Sequence, residues 1–330
     1  MEKMSHVHRR MALKALKIAV GSCIAIVLAE LLQLQYATSA GIVTLLTVQN
    51  TKKDTLRLAV DRLWSFLLSI VLIFLCLHIP GAGWVGFGVY ILLMVVSCSF
   101  LDWQGTISVN AVMGTHYMMS VDYSLPFVLN EFLLIVIGTT VALILNWKMP
   151  SNQKTIREDI LRIEDSMQQV LRELAAYLSG DHDSDHIWFD LDKLEEHLHQ
   201  GLERAREQAG NTLSEADLYY IEYMEMRMQQ CAMLQTLRSR VQRMCSMPKQ
   251  AEVVSQYLEY LAQYVHEENI PDKQIEKLQQ VFGQMKLEEL PKDREEFENR
   301  AILYHVLMDL EEFLFVKQRF VENFARPQEL

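Results

Sequence analysis

The sequence predicts an all-α protein in two parts: a six-span transmembrane helical domain over residues 1–150, then a soluble antiparallel helical bundle over residues 151–330. Three observations carry this expectation. From Leu63 to Trp147, 85 consecutive residues contain no Lys or Arg, the residues that ordinarily coat a water-exposed surface. The charge divides at the same boundary, with 10 Lys+Arg against 7 Asp+Glu before residue 150 and 21 against 35 after it. Beyond that boundary apolar residues recur at helical spacing, with no alternating strand pattern.

The chain begins with a basic stretch (Lys3, Arg9, Arg10, Lys14, Lys17) and then an apolar run. That is the layout of a secretory signal, with small residues for cleavage at Ala37-Thr38-Ser39-Ala40. Glu30 interrupts the run and more apolar segments follow, so a retained membrane helix is expected instead. Crossing a ~30 Å core takes about 20 residues, and 17 is a practical minimum. The spans expected are 18–34, 63–79 (stopped by Pro80-Gly81), 84–101, 105–121 and 125–147.

The segment 38–49 has only 12 residues and cannot cross as a straight helix. The cations decide its fate. They cluster at 3–17, at 52–62 (Lys52, Lys53, Arg57, Arg62) and from Lys148 onward, and the positive-inside rule places all three clusters in the cytoplasm. The first two share a side only if 38–49 crosses, tilted or broken. Six spans result, with both termini cytoplasmic. A re-entrant 38–49 is the alternative.

Gly81-Ala82-Gly83-Trp84-Val85-Gly86 fits GxGxxG. It joins two apolar spans rather than a strand and a helix, so a tight turn is expected and not a dinucleotide site. No GxxxxGK[ST] occurs, so nothing suggests an ATP-driven motor. The acidic second half offers no basic patch for nucleic acid, and none is expected as a partner. Five scattered cysteines (Cys23, Cys76, Cys98, Cys231, Cys245) form no CxxC pair and read as reduced, packed thiols. Cys231 and Cys245 lie two heptads apart and are expected on one helix face.

In the second half, Ser151 or Asn152 is placed to cap a helix carrying Ile156, Ile160, Ile163, Met167, Val170, Leu174 and Tyr177, ended by Gly180. A second helix spans 186–208. A third, 214–246, starts at Ser214 and Asp217, which resemble a capping box. Shorter helices at 250–268 and 272–286 precede a long one at 292–324. Asp181-His182-Asp183-Ser184-Asp185-His186 has the residue types of a metal site but reads as a solvated, helix-capping linker, and no metal or other cofactor is expected. The methionines at 224, 226, 228, 233, 244 and 247 and the run Tyr219, Tyr220, Tyr223 read as core or subunit contact.

Ionisable groups inside a bilayer cost roughly 2.5–3.5 kcal/mol each on insertion scales, so they mark candidate transport positions. Glu30, His116 and Glu131 fall near one level and are expected to converge on a path, with Asn110 near the middle of its span. An imidazole titrates near neutrality, which suits proton carriage. Arg57 and Arg62, at the inner end of the third span, are placed to attract an organic anion. The plain alternatives are interfacial snorkelling for the acids and positive-inside anchoring for the arginines.

The segment from Tyr36 to Arg62 resembles the signature of the aromatic acid exporter (fusaric acid resistance-like) superfamily. The matching residues are Tyr36, Thr44, Gln49, Thr55, Leu56, Arg57, Ala59 and Arg62. In place of the family's Gly-Thr-x-x-Gly stretch stands Trp64-Ser65-Phe66-Leu67-Leu68. The resemblance covers most of residues 10–150, and the remainder is similar to the cytoplasmic domain of the short bacterial branch. It implies efflux of aromatic or other weak organic acids across a bacterial inner membrane, by a six-span chain paired with copies of itself. Gln49 joins Glu30, Arg57, Arg62, Asn110, His116 and Glu131 as a path candidate. Plant aluminium-activated malate channels are similar in plan, which keeps a passive anion channel open. A membrane-anchored interaction scaffold is the third reading. With no HExxH, GxSxG or paired catalytic carboxylates, an enzyme is not expected.

Overall fold

The computed structural model describes residues 2–77, 83–147, 151–180, 187–212 and 218–325. Among them every regular element is helical. The chain divides into two compact units, 1–150 with 210–213, and 151–209 with 214–330.

The first unit contains α1 (Glu2–Leu31), α2 (Thr38–Thr47), α3 (Lys52–Leu77), α4 (Gly83–Phe100), α5 (Ile107–Ser120) and α6 (Leu125–Trp147). A single 3-10 turn, Gln104–Thr106, leads into α5. Four stretches are long and apolar enough to cross a membrane: Ala12–Leu31, Lys52–Leu77, Gly83–Phe100 and Leu125–Trp147. Two of the six expected spans, α2 and α5, are shorter than a bilayer is thick. At about 1.5 Å per residue, α2 covers roughly half of a ~30 Å core.

Helix α2 packs against both α1 and α6, while α3 gathers α4, α5 and α6. The close approach of α2 to α6 depends on Gly138. A Cβ there would lie 2.6 Å from Val43 Cβ and 2.7 Å from the Ala40 carbonyl. Small residues let membrane helices pack backbone to backbone, and here the Thr44 hydroxyl, 3.1 Å from the Gly138 carbonyl, adds an interhelical bond. Large apolar residues such as Trp84, Leu92 and Phe100 of α4 face outward, as lipid-facing positions do.

The second unit contains α7 (Gln153–Leu178), α8 (Ile187–Thr212), α9 (Leu218–Val241), α10 (Gln250–Ala262), α11 (Asp272–Leu287) and α12 (Arg294–Ala325). The stripe read from the sequence on α7 is buried from Ile156 to Leu174. Leu191, Leu194 and Leu198 of α8, and Met224, Leu234 and Leu237 of α9, share its core. Helix α9 is also buried on a polar face. There the Tyr223 hydroxyl donates to Glu164 at 2.7 Å, and Arg227 donates to Tyr223 at 2.9 Å and to Gln230 at 2.9 Å. Lys317 of α12 reaches the same region and donates to the Glu267 carbonyl at 2.6 Å.

Two expectations are corrected here. Helix α9 stops at Val241, so Cys231 and Cys245 do not share a helix: Cys231 is buried and Cys245 exposed. The Cys245 amide donates instead to Asn299 Oδ1 at 3.2 Å, and Pro248 prevents the helix from resuming at once. Helix α10 likewise ends at Ala262, before Pro271, rather than at 268. The Asp181–His186 linker, Pro80 to Ala82 and the Ser214–Asp217 start lie outside the described residues.

Candidate functional site

Where α1 ends and α2, α5 and α6 meet, the membrane unit buries an ionisable pair. His116 sits one turn from the end of α5, and Glu131 sits in the second turn of α6. Glu131 is 0% exposed and His116 is 6% exposed. His116 Nδ1 lies 2.8 Å from Glu131 Oε2, so one hydrogen lies between them. The other ring nitrogen, Nε2, is 3.1 Å from the Ser39 hydroxyl on α2. The second carboxylate oxygen of Glu131 accepts from Asn130 Nδ2 at 3.1 Å. Every polar atom of the pair therefore has a partner, which is what low-dielectric burial demands.

The turn between α1 and α2 closes over this pair. Tyr36 lies flat on the imidazole, with ring centroids 4.0 Å apart and planes 6° from parallel. Tyr36 holds a left-handed φ of 56°, as does Gln33 at 55°, and non-glycine residues adopt that conformation only where their surroundings impose it. Asn130 supplies part of the restraint. Its side-chain amide accepts from the Gln35 amide at 2.8 Å and donates to the Gln35 carbonyl at 3.1 Å. Asn130 thus ties the strained turn to the carboxylate.

A serine, a histidine and a carboxylate in series also occur in nucleophilic triads, where two free donors must face the oxyanion. The Ser39 and Ala40 amides are taken by the carbonyls of Tyr36 at 2.9 Å and Ala37 at 3.1 Å. Those two amides are therefore not available to an oxyanion. The series suits proton transfer along Glu131, His116 and Ser39.

A second polar layer lies toward the other end of the unit. Arg62 of α3 is 1% exposed and donates through Nη2 to the Leu46 carbonyl at 2.8 Å. One turn along α3, Ser65 accepts from Asn110 Nδ2 at 2.9 Å. Ser69 and Tyr90 lie 2.7 Å apart, and the Tyr90 hydroxyl donates to the Asn110 carbonyl at 2.7 Å. Asn146 is the hub where α6 meets α3. Its amide donates to the Gln49 carbonyl at 2.9 Å and to the Thr55 hydroxyl at 2.7 Å, and it accepts from Lys17 Nζ at 3.1 Å.

The residues singled out in the sequence separate on this frame. His116 and Glu131 come together as expected, but Glu30 does not join them and lies exposed on α1. Arg62 and Asn110 are buried, on neighbouring helices. Arg57 is exposed and bridges to Asp102 at 2.7 Å. Gln49 contributes its backbone at the Asn146 hub, and its side chain is half-buried. Sequence reasoning did not select Ser39, Asn130 or Asn146. Their only signal is a small polar residue in an apolar run. Among the described residues no cluster of His, Cys, Asp and Glu could hold a metal ion.

An all-α membrane protein with a buried histidine–carboxylate pair and a helical second unit fits a transporter, and comparison with known sequences specifies the kind. Residues 9–149 match "Aromatic acid exporter family member 1", and residues 153–318 match "Putative aromatic acid exporter C-terminal domain". The chain belongs to the aromatic acid exporter family. It is similar to the uncharacterized protein YqjA of Bacillus subtilis (strain 168), at 28% identity over 310 residues, 93% of this chain and 95% of that protein. A crystal structure of a membrane protein from Clostridium difficile 630 aligns over 51% of this chain and 98% of its own, at 27% identity and a TM-score of 0.47.

Proposed function

We propose that this chain is a secondary exporter of aromatic or other weak organic acids in a bacterial inner membrane, driven by protons and working as a homo-oligomer with both termini cytoplasmic. The His116–Glu131 pair, wholly buried in an apolar unit, is the observation that carries this reading. A buried ionisable pair is an expensive feature in lipid and marks proton relays and ion paths. In this reading Glu131 and His116 hold the exchanged proton, Ser39 extends the relay, and Tyr36 shields it. The half-length α2 crosses the bilayer as a broken span, completed by the turn at 32–37 and by extended Val48. Irregular backbone at that depth is tolerated where protein covers it or where it lines a path. Arg57, exposed and near the start of α3, draws the anion from the cytosol. Glu30 has no part in the relay.

The test is flux of labelled 4-hydroxybenzoate in proteoliposomes, with membrane potential clamped and a pH gradient imposed or absent. Accumulation against the substrate gradient only when the pH gradient is present is expected. Downhill flux indifferent to pH would instead make the protein a channel.

A further inference from the structure

Arg62 is a buried cation without a counter-ion. Its guanidinium gives one hydrogen bond, from Nη2 to the Leu46 carbonyl, while Nε and Nη1 are buried with no partner. A guanidinium keeps its proton at any physiological pH, and an unpaired charge in a low-dielectric interior is strongly unfavourable. The described carboxylates of this unit are engaged elsewhere or exposed. Asp61 and Asp102 face Arg57, Glu131 faces His116, Asp54 accepts from Thr51, and Glu30 and Asp122 are exposed. A second buried atom is unsatisfied nearby: Asn110 Oδ1, on the side chain bonded to Ser65 one turn along α3, has no partner either.

We propose that Arg62 is the internal binding site for a single carboxylate, so that the transported species is a monoanion rather than a dianion. This deepens the exporter reading and rests on it for identifying the ligand as a transported acid. The free Nε–H and Nη1–H lie on different edges of the guanidinium, so a planar carboxylate would take one of them together with the second Nη2 hydrogen, a fork that recognises it by both charge and geometry. The limit to one charge follows from the sequence. After Arg62 the next cation is Lys148, and the nearest preceding arginine, Arg57, is exposed and bound to Asp102. A second carboxylate on the ligand would find no second buried cation among the described residues here: Lys17, in the same layer, is half-buried and donates to Asn146 Oδ1 at 3.1 Å. This places Arg62 inside the unit as the site itself, where the sequence alone suggested recruitment at the entrance.

The experiment is equilibrium binding to the purified full-length protein in detergent at pH 7, by titration calorimetry with three probes. Benzoate is expected to bind saturably, phthalate at least tenfold more weakly, and neutral benzamide not at all. R62Q is expected to lose at least tenfold in benzoate affinity, and R62K, which keeps the charge but not the fork, to fall between. The three probes on the wild type need no variant, so the comparison stands even if R62Q fails to fold. No benzoate binding, benzamide or phthalate binding as tightly as benzoate, or an unchanged Kd in R62Q would each overturn the proposal. Arg62-dependent benzoate binding without pH-driven flux would refute the exporter and leave the site. Flux driven by pH with an unchanged Kd in R62Q would do the reverse.

Discussion

Glu131→Gln separates proton coupling from passage of the anion. The substitution is close to isosteric. The introduced amide would still accept from Asn130 and would offer an N–H to His116 Nδ1, so the packing around the 2.8 Å contact survives. What disappears is a carboxylate able to exchange the one hydrogen held between the pair. An exchange carried by this pair alone moves one proton per turnover. A one-proton exchange is worth about 1.4 kcal/mol per pH unit, which is a tenfold accumulation. With potential clamped at zero and one anion exchanged for each proton, the wild type should reach about tenfold accumulation per unit of pH gradient, and about a hundredfold for two units. The Glu131→Gln variant should level off near unity while still equilibrating substrate downhill. Labelled 4-hydroxybenzoate in proteoliposomes reads both quantities. A Glu131→Gln protein that still reaches tenfold per pH unit would refute the assignment of the coupling proton to this pair. Glu131→Ala is the poorer variant, because stranding one member of a buried pair costs roughly 3–5 kcal/mol and confounds coupling with folding.

Other consequences can be checked independently. Burial, with Arg227 adding repulsion, pushes the Lys317 ammonium from its ordinary 10.5 down to about 7. Between those values the unfolded chain binds the extra proton, so this group's penalty is present in full below pH 7 and is relieved as pH rises toward 10.5. Lys317→Met should therefore stabilise the second unit by a few kcal/mol at neutral pH. It should also flatten the pH dependence, and superimposable denaturant curves at pH 7 and pH 10 for the two proteins would contradict this. Gly138→Ala brings a methyl into Val43 and the Ala40 backbone. A loss of about 1–3 kcal/mol, the usual cost of overpacking, is expected in detergent melting. Burial pushes the Cys231 thiol up to about 12, while Cys245 is exposed, so maleimide should label Cys245 and spare Cys231 in the folded protein. Arg57→Ala removes an exposed ion pair worth about 0–1 kcal/mol and should leave stability nearly unchanged. Its effect, if Arg57 recruits the anion, should appear as a raised KM that salt reproduces in the wild type.

Much of the architecture is legible in the residues because it depends on local periodicity and on solvent. An 85-residue stretch without a cation fits only a low-dielectric surround, and 3-and-4 spacing on α7 names its buried face in advance. The limits of that reasoning are visible at particular places. Helix α9 ends at Val241 rather than 246, and past that end Asn299, more than fifty residues away, captures the Cys245 amide. No window along the chain contains that contact.

The candidate site shows the same division. Hydropathy marks His116, Glu131 and Arg62 as costly, since a charge in an apolar run is anomalous wherever the chain goes. It does not say which charges find each other. Glu30 and Glu131 look alike in sequence, but the rotation of α1 turns Glu30 outward while α6 turns Glu131 onto His116. Ser39 and Asn130 matter through contacts spanning 77 and 95 residues, as partners of His116 and Gln35. The sequence by itself determined the class, the two-part division and the list of expensive residues, because desolvation is a property of each residue type. Only the tertiary structure decided that His116 is paired while Arg62 is not, because pairing is a matter of angstroms between helices that no local pattern records.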